Sequence, residues 1–219
     1  MAPDSEASLA WSLVVPVKVL AQAKSRLTGL ADERRSRLAL AMAADTIEAA
    51  SRANAVAAVL VVTDDSEVAE TAISLGAIVL ADEPAAGLNE ALRHGAAYAR
   101  DRWPDRGVAG LAADLPALRP EELTMALTAA ASLRVAFVPD AAGTGTTLYA
   151  AVPGAPFRPR FGGLSGRRHV ADGAADIAAG RHLAGLRRDV DTIDDLRQAA
   201  AIGHGARTRT VALDAEILN

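Results

Sequence analysis

Three positively charged side chains lie close together in the sequence, directly after the first strongly apolar run. They are Lys18, Lys24 and Arg26, and Lys18 and Lys24 are the only lysines of the chain. Because a lysine ammonium is a compact, strongly hydrated point charge, its use at two neighbouring positions favours contacts with phosphate groups. The segment lacks the G-x-G-x-x-G and G-x-x-x-x-G-K-S/T patterns, so its side chains would have to hold the phosphates. Two surface lysines that are neighbours by chance are the alternative.

Three carboxylates follow two later apolar runs. Asp114 follows the first of them, and Asp189 and Asp191 are separated by one residue, so both project from the same side of an extended segment. Like charges side by side repel unless a cation lies between them, and hard oxygen ligands suit Mg²⁺ bound together with substrate phosphates. A turn cap for Asp114 and a solvated strand end for the other two are the alternatives. Thr192 and Asp195 form a capping pattern, so we expect Asp195 to begin a helix rather than to bind metal.

Two glycine-containing segments are typical of anion sites. Residues 143–147 offer backbone N–H groups and hydroxyls that suit phosphate or carboxylate, although an ordinary hairpin turn is the alternative. Ser165 is predicted to cap the N-terminus of a helix, whose N–H groups would then face a negative ligand. Arg167 and Arg168 either add charge to this site or form an exposed pair. His169 is interpreted as a packing or capping residue and receives no catalytic role.

Two further polar segments stand where helices are predicted to begin. Asn89 either caps its helix or contacts a base or ribose of a nucleotide. Residues 63–65 (Thr-Asp-Asp) are interpreted as a cap for the following helix. The histidines at positions 94, 182 and 204 have no spacing that indicates a metal site or a catalytic triad.

The elements that would position these side chains alternate between short β-branched runs and longer helical patterns. This order predicts an α/β fold, with a mostly parallel central sheet and helices on both faces. The predicted strands cover residues 12–17, 56–63, 77–80, 108–113, 134–139, 147–152 and 186–190. The predicted helices cover residues 33–53, 66–75, 88–102, 121–131, 168–179 and 193–201. Ligands bind beyond the carboxyl ends of such strands, and residues 139–166 predict loops and a hairpin that shapes the substrate site.

The bulk properties exclude several classes of function. A net charge of −4 and a sequence pI ≈ 5.6 disfavour nucleic acid and anionic membranes as partners, since both need a broad basic surface. The absence of cysteine excludes a disulfide framework and a thiolate nucleophile. No signal-peptide pattern and no apolar run of about 18 residues is present. We therefore expect a cytoplasmic protein with a flexible N-terminus over residues 1–11 and one domain over residues 12–219.

An ordered set of motifs runs colinearly from about residue 12 to residue 198. It comprises Val15-Pro16-Val17-Lys18, Ala23-Lys24-Ser25-Arg26-Leu27, Gly87-Leu88-Asn89, Asp114-Leu115-Pro116, Gly143-Thr144-Gly145-Thr146, Phe161-Gly162 with Ser165 and His169, and Asp189-Val190-Asp191-Thr192. This set closely resembles the guanylyltransferases of deazaflavin coenzyme F-420 biosynthesis, which activate 2-phospholactate or phosphoenolpyruvate with GTP. One departure is Thr192-Ile193, where many relatives have Thr-Pro.

The resemblance implies a Rossmann-like nucleotidyltransferase fold of the nucleotide-diphospho-sugar transferase type, and it assigns roles to individual residues. The implied roles are Mg²⁺ ligands for Asp114, Asp189 and Asp191, contacts to the phosphorylated acid for Thr146, Gly162 and Ser165, and GTP contacts for Lys18, Lys24, Arg26 and Asn89. Lys24 and the three aspartates are the expected catalytic groups.

The expected reaction transfers GMP from GTP to a phosphorylated three-carbon acid with Mg²⁺ as cofactor. A phosphate nucleophile is already anionic, so catalysis rests on alignment and charge neutralisation rather than on a general base. Phosphoenolpyruvate is the acceptor that the resemblance favours, because the composition is typical of high-GC actinobacteria, in which the resembled family is expected to use it; 2-phospho-L-lactate and 3-phosphoglycerate are alternatives. A molybdopterin or sugar-phosphate nucleotidyltransferase, and a nucleotide-binding regulator without turnover, also remain open. A homodimer is the candidate assembly.

Overall fold

The computed structural model describes residues 9–20, 27, 30–83 and 85–214. Seven strands in this part of the chain form one sheet: β1 (Trp11–Pro16), β2 (Val56–Val62), β3 (Ile78–Leu80), β4 (Gly107–Leu111), β5 (Val135–Val138), β6 (Leu148–Ala151) and β7 (Ala175–Asp176). Their order across the sheet is β3-β2-β1-β4-β6-β5-β7. The helices are α1 (Asp32–Ser51), α2 (Ser66–Ser74), α3 (Leu88–Arg102), α4 (Pro120–Ala130), α5 (Ser165–Ala171), α6 (Ile193–Ile202) and α7 (Ala206–Asp214).

The sheet is mostly parallel, as the sequence predicts. Strands β1, β2, β3 and β4 run parallel to one another, and β7 is parallel to β5. Strand β6 is antiparallel to both of its neighbours, β4 and β5. The cause is the connection between β5 and β6, which is a hairpin loop and therefore too short for a parallel crossover. The predicted hairpin between residues 139 and 166 is thus confirmed.

Helices cover both faces of the sheet. In β1, Leu13 and Val15 belong to one apolar core, whereas Val14 belongs to the other, because successive side chains of a strand point to opposite faces. The first core includes buried residues of α1, α2 and α4, and the second includes buried residues of α3. This arrangement explains why the first strands are apolar on both faces.

The N-terminal part of the fold begins before the predicted domain boundary. Trp11 is fully buried, and the carbonyl of Ala10 accepts a 3.0 Å hydrogen bond from the N–H of Gly107. Residues 1–8 of the segment predicted to be flexible lie outside the described residues. None of the helices in the described ranges combines the length and apolar character needed to cross a membrane.

The predicted strand over residues 186–190 is wrong. Its backbone donors do not form a strand ladder, because both carboxylate oxygens of Glu122 accept hydrogen bonds at its start, from the N–H of Gly185 at 3.3 Å and of Leu186 at 2.7 Å. The N–H groups of Arg187 and Arg188 donate to the preceding carbonyls of Leu183 and Gly185, and the N–H of Val190 donates to the carbonyl of Asp114, beyond the end of β4. The segment is therefore an ordered loop, and the short strand β7 occupies the sheet edge beside β5.

One helical prediction needs correction, and one helix was not predicted. The predicted helix over residues 168–179 begins earlier and ends sooner, since α5 covers Ser165–Ala171. Gly173 stops it with φ of +86°, a left-handed conformation that glycine adopts without strain. Helix α7, which packs against α1, was not predicted from the sequence.

Candidate functional site

The carboxyl ends of the parallel strands bring the candidate residues to one edge of the sheet. Asp114 follows β4, and Asp140 follows β5. Thr146 precedes β6, which runs antiparallel to both strands, so it lies at the same edge. Lys18 follows β1, which is parallel to β4, and its side chain is exposed. The rule that ligands bind at this edge of an α/β sheet therefore selects this region.

Two hydrogen-bonding contacts hold the loop of residues 186–191 against these strand ends. The N–H of Val190 donates a 3.1 Å hydrogen bond to the carbonyl of Asp114. The guanidinium of Arg187 donates from Nε to the carbonyl of Pro139 at 3.1 Å and from Nη2 to the carbonyl of Asp140 at 2.8 Å. The loop is thus fixed to the exits of both β4 and β5.

Asp189 and Asp191 flank a buried residue, as the predicted alternation of side chains requires, although the segment is not a strand. Val190 is fully buried in an apolar cluster that also contains Leu27 and Leu38. The two aspartates that flank it are half-buried. An extended loop gives the same two-residue period as a strand, so the buried valine fixes the orientation of both carboxylates.

The electrostatics of Asp189 show that carboxylates converge here. Burial, together with the negative charges of Asp114, Asp140 and Asp191, raises the pKa of Asp189 to about 7. Asp140 is a fourth member of this acidic cluster, and it was missed in the sequence, although its position directly after a predicted strand was the available signal. Within the described ranges, no group of three or more His, Cys, Asp or Glu side chains is arranged to hold a metal ion. The metal-ligand roles therefore remain predictions.

The glycine-containing segment of residues 143–147 is a hairpin turn closed by Asp140. The Asp140 carboxylate accepts 2.8 Å hydrogen bonds from the N–H groups of Thr144 and Gly145. These donors are consequently satisfied inside the protein, which supports the hairpin alternative over an anion cradle made of these two groups. Since Asp140 contacts this turn and also influences Asp189, it connects the acidic cluster to the segment that carries Thr146.

A buried polar network joins Thr146, Ser165 and His169. The Thr146 Oγ1 and His169 Nδ1 atoms are 3.0 Å apart, and Ser165 Oγ donates to Thr146 Oγ1 at 2.9 Å. The other ring nitrogen of His169, Nε2, accepts a 2.9 Å hydrogen bond from the backbone N–H of Arg160. The predicted N-cap role of Ser165 is wrong, because Leu164 is the N-cap residue of α5 and Ser165 is its first helical residue, with its hydroxyl on Thr146.

Aromatic rings enclose the imidazole of His169. The centroid of Tyr149 lies 4.5 Å away in a stacked arrangement, and that of Phe137 lies 5.4 Å away. Desolvation by this environment lowers the pKa of His169 to about 4, so the ring is neutral at pH 7. The neighbouring Arg167 and Arg168 are exposed. The packing interpretation of His169 is confirmed, but the network also gives the ring a polar role that the sequence did not reveal.

Asn89 and Gly162 lie in adjoining parts of this site. The Asn89 side-chain amide donates to the carbonyl of Phe161 at 3.0 Å and accepts from its N–H at 2.8 Å. It thus fixes the residue that precedes Gly162, which has φ of +119°. The N-cap residue of α3 is Gly87, so Asn89 is not a cap, and its predicted contact with GTP stays a prediction.

The basic loop comprises residues 18–26, which include Lys18, Lys24 and Arg26, and the structure describes its residues 18–20. The N–H of Leu20 donates a 2.9 Å hydrogen bond to the carboxylate of Asp65, which also caps the N-terminus of α2 as predicted. Leu27, beyond the loop, is fully buried in the same cluster as Val190. Lys24 and Arg26 lie outside the described residues. The predicted capping box of Thr192 and Asp195 at the start of α6 is confirmed.

Two solved structures resemble the fold across nearly the whole chain. A Desulfovibrio desulfuricans protein classed with the nucleotide-diphospho-sugar transferases superposes with a TM-score of 0.65 at 17% identity, over 95% of this chain and 96% of that protein. A Mycobacterium tuberculosis protein solved as a manganese complex gives a TM-score of 0.53 at 19% identity, over 87% of this chain and 97% of that protein. The predicted nucleotidyltransferase type of Rossmann-like fold is thereby confirmed.

Sequence comparison identifies the family. The family described as "Guanylyl transferase CofC like" matches residues 11–211. A phosphoenolpyruvate guanylyltransferase of Thermomonospora curvata is 56% identical over 207 residues, which cover 94% of this chain and 90% of that relative. The chain therefore belongs to the CofC-like guanylyl transferase family.

Proposed function

We propose that the protein is a phosphoenolpyruvate guanylyltransferase of coenzyme F-420 biosynthesis. It transfers GMP from GTP to the phosphate of phosphoenolpyruvate and gives enolpyruvoyl-2-diphospho-5'-guanosine and pyrophosphate. The observation that carries this proposal is the 56% identity, over 94% of the chain, to a protein named for that activity. The site supports it, because the acidic cluster, Lys18 and the hydroxyl network lie at one edge of the sheet.

The reaction forms one phosphorus–oxygen bond and breaks another. A phosphate oxygen of phosphoenolpyruvate attacks the α-phosphorus of GTP, and the bond from that phosphorus to the oxygen bridging the β-phosphate breaks, so that pyrophosphate leaves with the electron pair. The attacking oxygen is already anionic, which removes the need for a general base. The neutral, enclosed His169 agrees with this, since it touches Thr146 rather than a position that could deprotonate a nucleophile.

The acidic cluster has the donor chemistry of a divalent-cation site. Asp114, Asp189 and Asp191 offer hard oxygen ligands of the kind that Mg²⁺ prefers. The raised pKa of Asp189 reflects burial and neighbouring negative charges, both of which disfavour the ionised carboxylate, and a bound cation would counter them. A solved protein of the same fold is a manganese complex, which also supports divalent-metal use. When bound, Mg²⁺ would screen the phosphate charges and help to align them.

The basic loop is assigned to the triphosphate of GTP. Lys18 follows β1 at the ligand edge, and Lys24 and Arg26 follow it in the sequence. Leu27, the next described residue after Arg26, packs in the cluster that also holds Val190 of the acidic loop. Positive side chains there neutralise the charge that develops on the leaving pyrophosphate, and one such contact is worth about 3 kcal/mol of barrier.

The acceptor is assigned to the hydroxyl network. Thr146 and Ser165 present hydroxyls, and Gly162 lies in the segment fixed by Asn89. Hydroxyl donors suit the carboxylate and phosphate oxygens of phosphoenolpyruvate. Asp140 connects this network to the acidic cluster, which supports neighbouring positions for the acceptor phosphate and the α-phosphate of GTP.

Pyrophosphate release tests the proposal. Purified protein with GTP and Mg²⁺ is supplied in separate reactions with phosphoenolpyruvate, 2-phospho-L-lactate and 3-phosphoglycerate. We expect the highest kcat/KM with phosphoenolpyruvate and loss of turnover with excess EDTA. Preference for one of the other two acids would identify the alternative acceptor, whereas no release with any of them would refute the assigned reaction. The cytoplasmic location and the homodimer stay predictions from the sequence.

A further inference from the structure

The hydrogen-bond network around His169 contains one donor whose direction is fixed. The backbone N–H of Arg160 can only donate, and it lies 2.9 Å from His169 Nε2. Nε2 must therefore accept, and it carries no proton. The ring is neutral at pH 7, so its single N–H proton resides on Nδ1. His169 Nδ1 consequently donates to Thr146 Oγ1 across the 3.0 Å contact.

This tautomer determines how the protons of the two hydroxyls are used. Thr146 Oγ1 accepts from His169 Nδ1 and also from Ser165 Oγ, which fills both of its lone pairs. The hydroxyl proton of Thr146 then has no acceptor among the described residues and is available to a ligand. If Thr146 instead donated to Ser165, the remaining proton would lie on the buried Ser165 hydroxyl. In either orientation one hydroxyl proton remains.

The other tautomer would remove that donor. With its proton on Nε2, the ring would accept at Nδ1, and Thr146 would donate to it. Ser165 would still donate to Thr146, so both hydroxyl protons would be consumed within the protein. The backbone N–H of Arg160 prevents this arrangement, because a protonated Nε2 would face it donor to donor.

Arg160 is itself held in place by the helix that carries His169. Its Nε donates a 2.8 Å hydrogen bond to the carboxylate of Asp172, at the C-terminus of α5. Tyr149 and Phe137 confine the ring, and His169 and Ser165 are both fully buried. Thr146 retains an exposed fraction of 8%, whereas His169 and Ser165 have none, and we assign the ligand contact of the network to Thr146.

We propose that His169 is a positioning residue for the acceptor acid: its Nδ1–H tautomer, set by the backbone of Arg160, keeps a Thr146–Ser165 hydroxyl proton directed at an anionic oxygen of the acceptor. This inference rests on the proposed function for the identity of the acceptor. It also explains why the site holds a neutral histidine beside a negatively charged ligand. The neutral ring orients a hydroxyl proton and adds no positive charge to the site.

Two substitutions separate the two ring nitrogens. In H169N the shorter amide places a nitrogen donor near the position of Nδ1, whereas in H169Q the amide reaches the position of Nε2 and leaves Thr146 without its donor. We expect H169Q to raise KM for phosphoenolpyruvate about 10-fold to 100-fold, with KM for GTP changed less than about 2-fold. H169N should recover a large part of the loss. The exposed His182 supplies the matched controls H182Q and H182N.

The kinetic outcomes discriminate between positioning and packing. If H169N and H169Q raise both KM values equally, or lower the melting temperature in proportion to the kinetic loss, His169 only fills space and the proposal is overturned. If H169Q binds phosphoenolpyruvate as well as the wild type, the directed donor is not used. A selective change in the acceptor KM that H169N reverses supports the proposal.

The tautomer is measurable without turnover. Histidine ¹⁵N NMR of the full-length protein distinguishes a protonated ring nitrogen from a bare one, and H169N identifies the His169 signals by their disappearance. We expect Nδ1 to be protonated and Nε2 bare from pH 6 to pH 8. A protonated Nε2 overturns the proposal even in an active enzyme. Conversely, this spectrum with no turnover on any of the three acids would refute the assigned reaction and leave the tautomer established.

Discussion

The backbone of Val190 donates a 3.1 Å hydrogen bond to the backbone carbonyl of Asp114, residues that are far apart in the sequence. This bond places the loop bearing Asp189 and Asp191 beside the exit of β4, and the burial of Val190 orients the two flanking carboxylates. The acidic cluster is therefore held by the backbone and by apolar packing. Its negative charges repel one another, and this repulsion lowers the stability of the folded state when the carboxylates are ionised.

The first prediction concerns the pH dependence of folding in metal-free buffer. Asp189 has a folded-state pKa of about 7, above the reference value of 3.8, so the folded state holds the proton more tightly than the unfolded state. Stability must then fall as the pH rises from about 4 to about 7. After solvent screening we expect D189N to remove about 1–2 kcal/mol of this loss. Urea unfolding at pH 5 and pH 8 measures the difference.

The control for this prediction is D194N, which changes an exposed aspartate that pairs with Arg197. Its stability profile should match that of the wild type. Mg²⁺ at pH 8 should raise the melting temperature of the wild type by several degrees and that of D189N by less. Equal stabilisation of both proteins by Mg²⁺ would contradict the metal-ligand role of Asp189.

A second prediction concerns Arg187, which holds the acidic loop to the end of β5. Its guanidinium donates to two carbonyls at once, those of Pro139 and Asp140, a geometry that a single ammonium does not reproduce. We expect R187K to lower kcat/KM about 10-fold or more while the fold persists, because the carboxylates lose their alignment. R197K, at an exposed ion pair, is the matched control. Wild-type kinetics in R187K would show that this contact does not position the site.

The sequence predicted the parallel strands and the strand-end position of Asp114, because both follow from local apolar runs. It did not predict that Glu122 saturates the backbone donors of Gly185 and Leu186, since that contact joins residues more than 60 positions apart. The alternation of polar and apolar side chains around Val190 was visible in the sequence. It does not distinguish a strand from an extended loop, because both have the same two-residue period. Asp140 and Arg187 were missed for a related reason. Their roles depend on tertiary contacts that no local pattern records.

A third prediction tests whether the basic loop binds GTP while the hydroxyl network binds the acceptor. Lys24 is expected to hold the triphosphate, so K24A should raise KM for GTP about 10-fold or more and change KM for phosphoenolpyruvate much less. K18A should act in the same direction, because Lys18 is exposed at the end of β1. Initial rates with each substrate varied in turn measure both effects. A larger change in the acceptor KM would reverse the assignment.

A fourth prediction concerns the closure of the hairpin turn by Asp140. D140A removes the acceptor of the N–H groups of Thr144 and Gly145, which should cost about 1–3 kcal/mol of stability. D140N keeps one acceptor oxygen and should lose less. Because Asp140 also raises the pKa of Asp189, both variants should lower that pKa, so the loss of stability with rising pH should be smaller and should end at a lower pH. Urea unfolding of the three proteins over pH 5 to 8 separates the two effects.

The last prediction decides between two roles for Asn89. If its amide contacts GTP, N89A should raise KM for GTP. The structure shows the amide paired with both backbone groups of Phe161, next to Gly162, so a change there should instead loosen the acceptor segment. We expect N89A to raise KM for phosphoenolpyruvate several-fold more than KM for GTP. N89D keeps the acceptor for the Phe161 N–H but places a second oxygen against the carbonyl, so it should be at least as harmful as N89A. A selective GTP effect in both variants would instead establish the nucleotide contact.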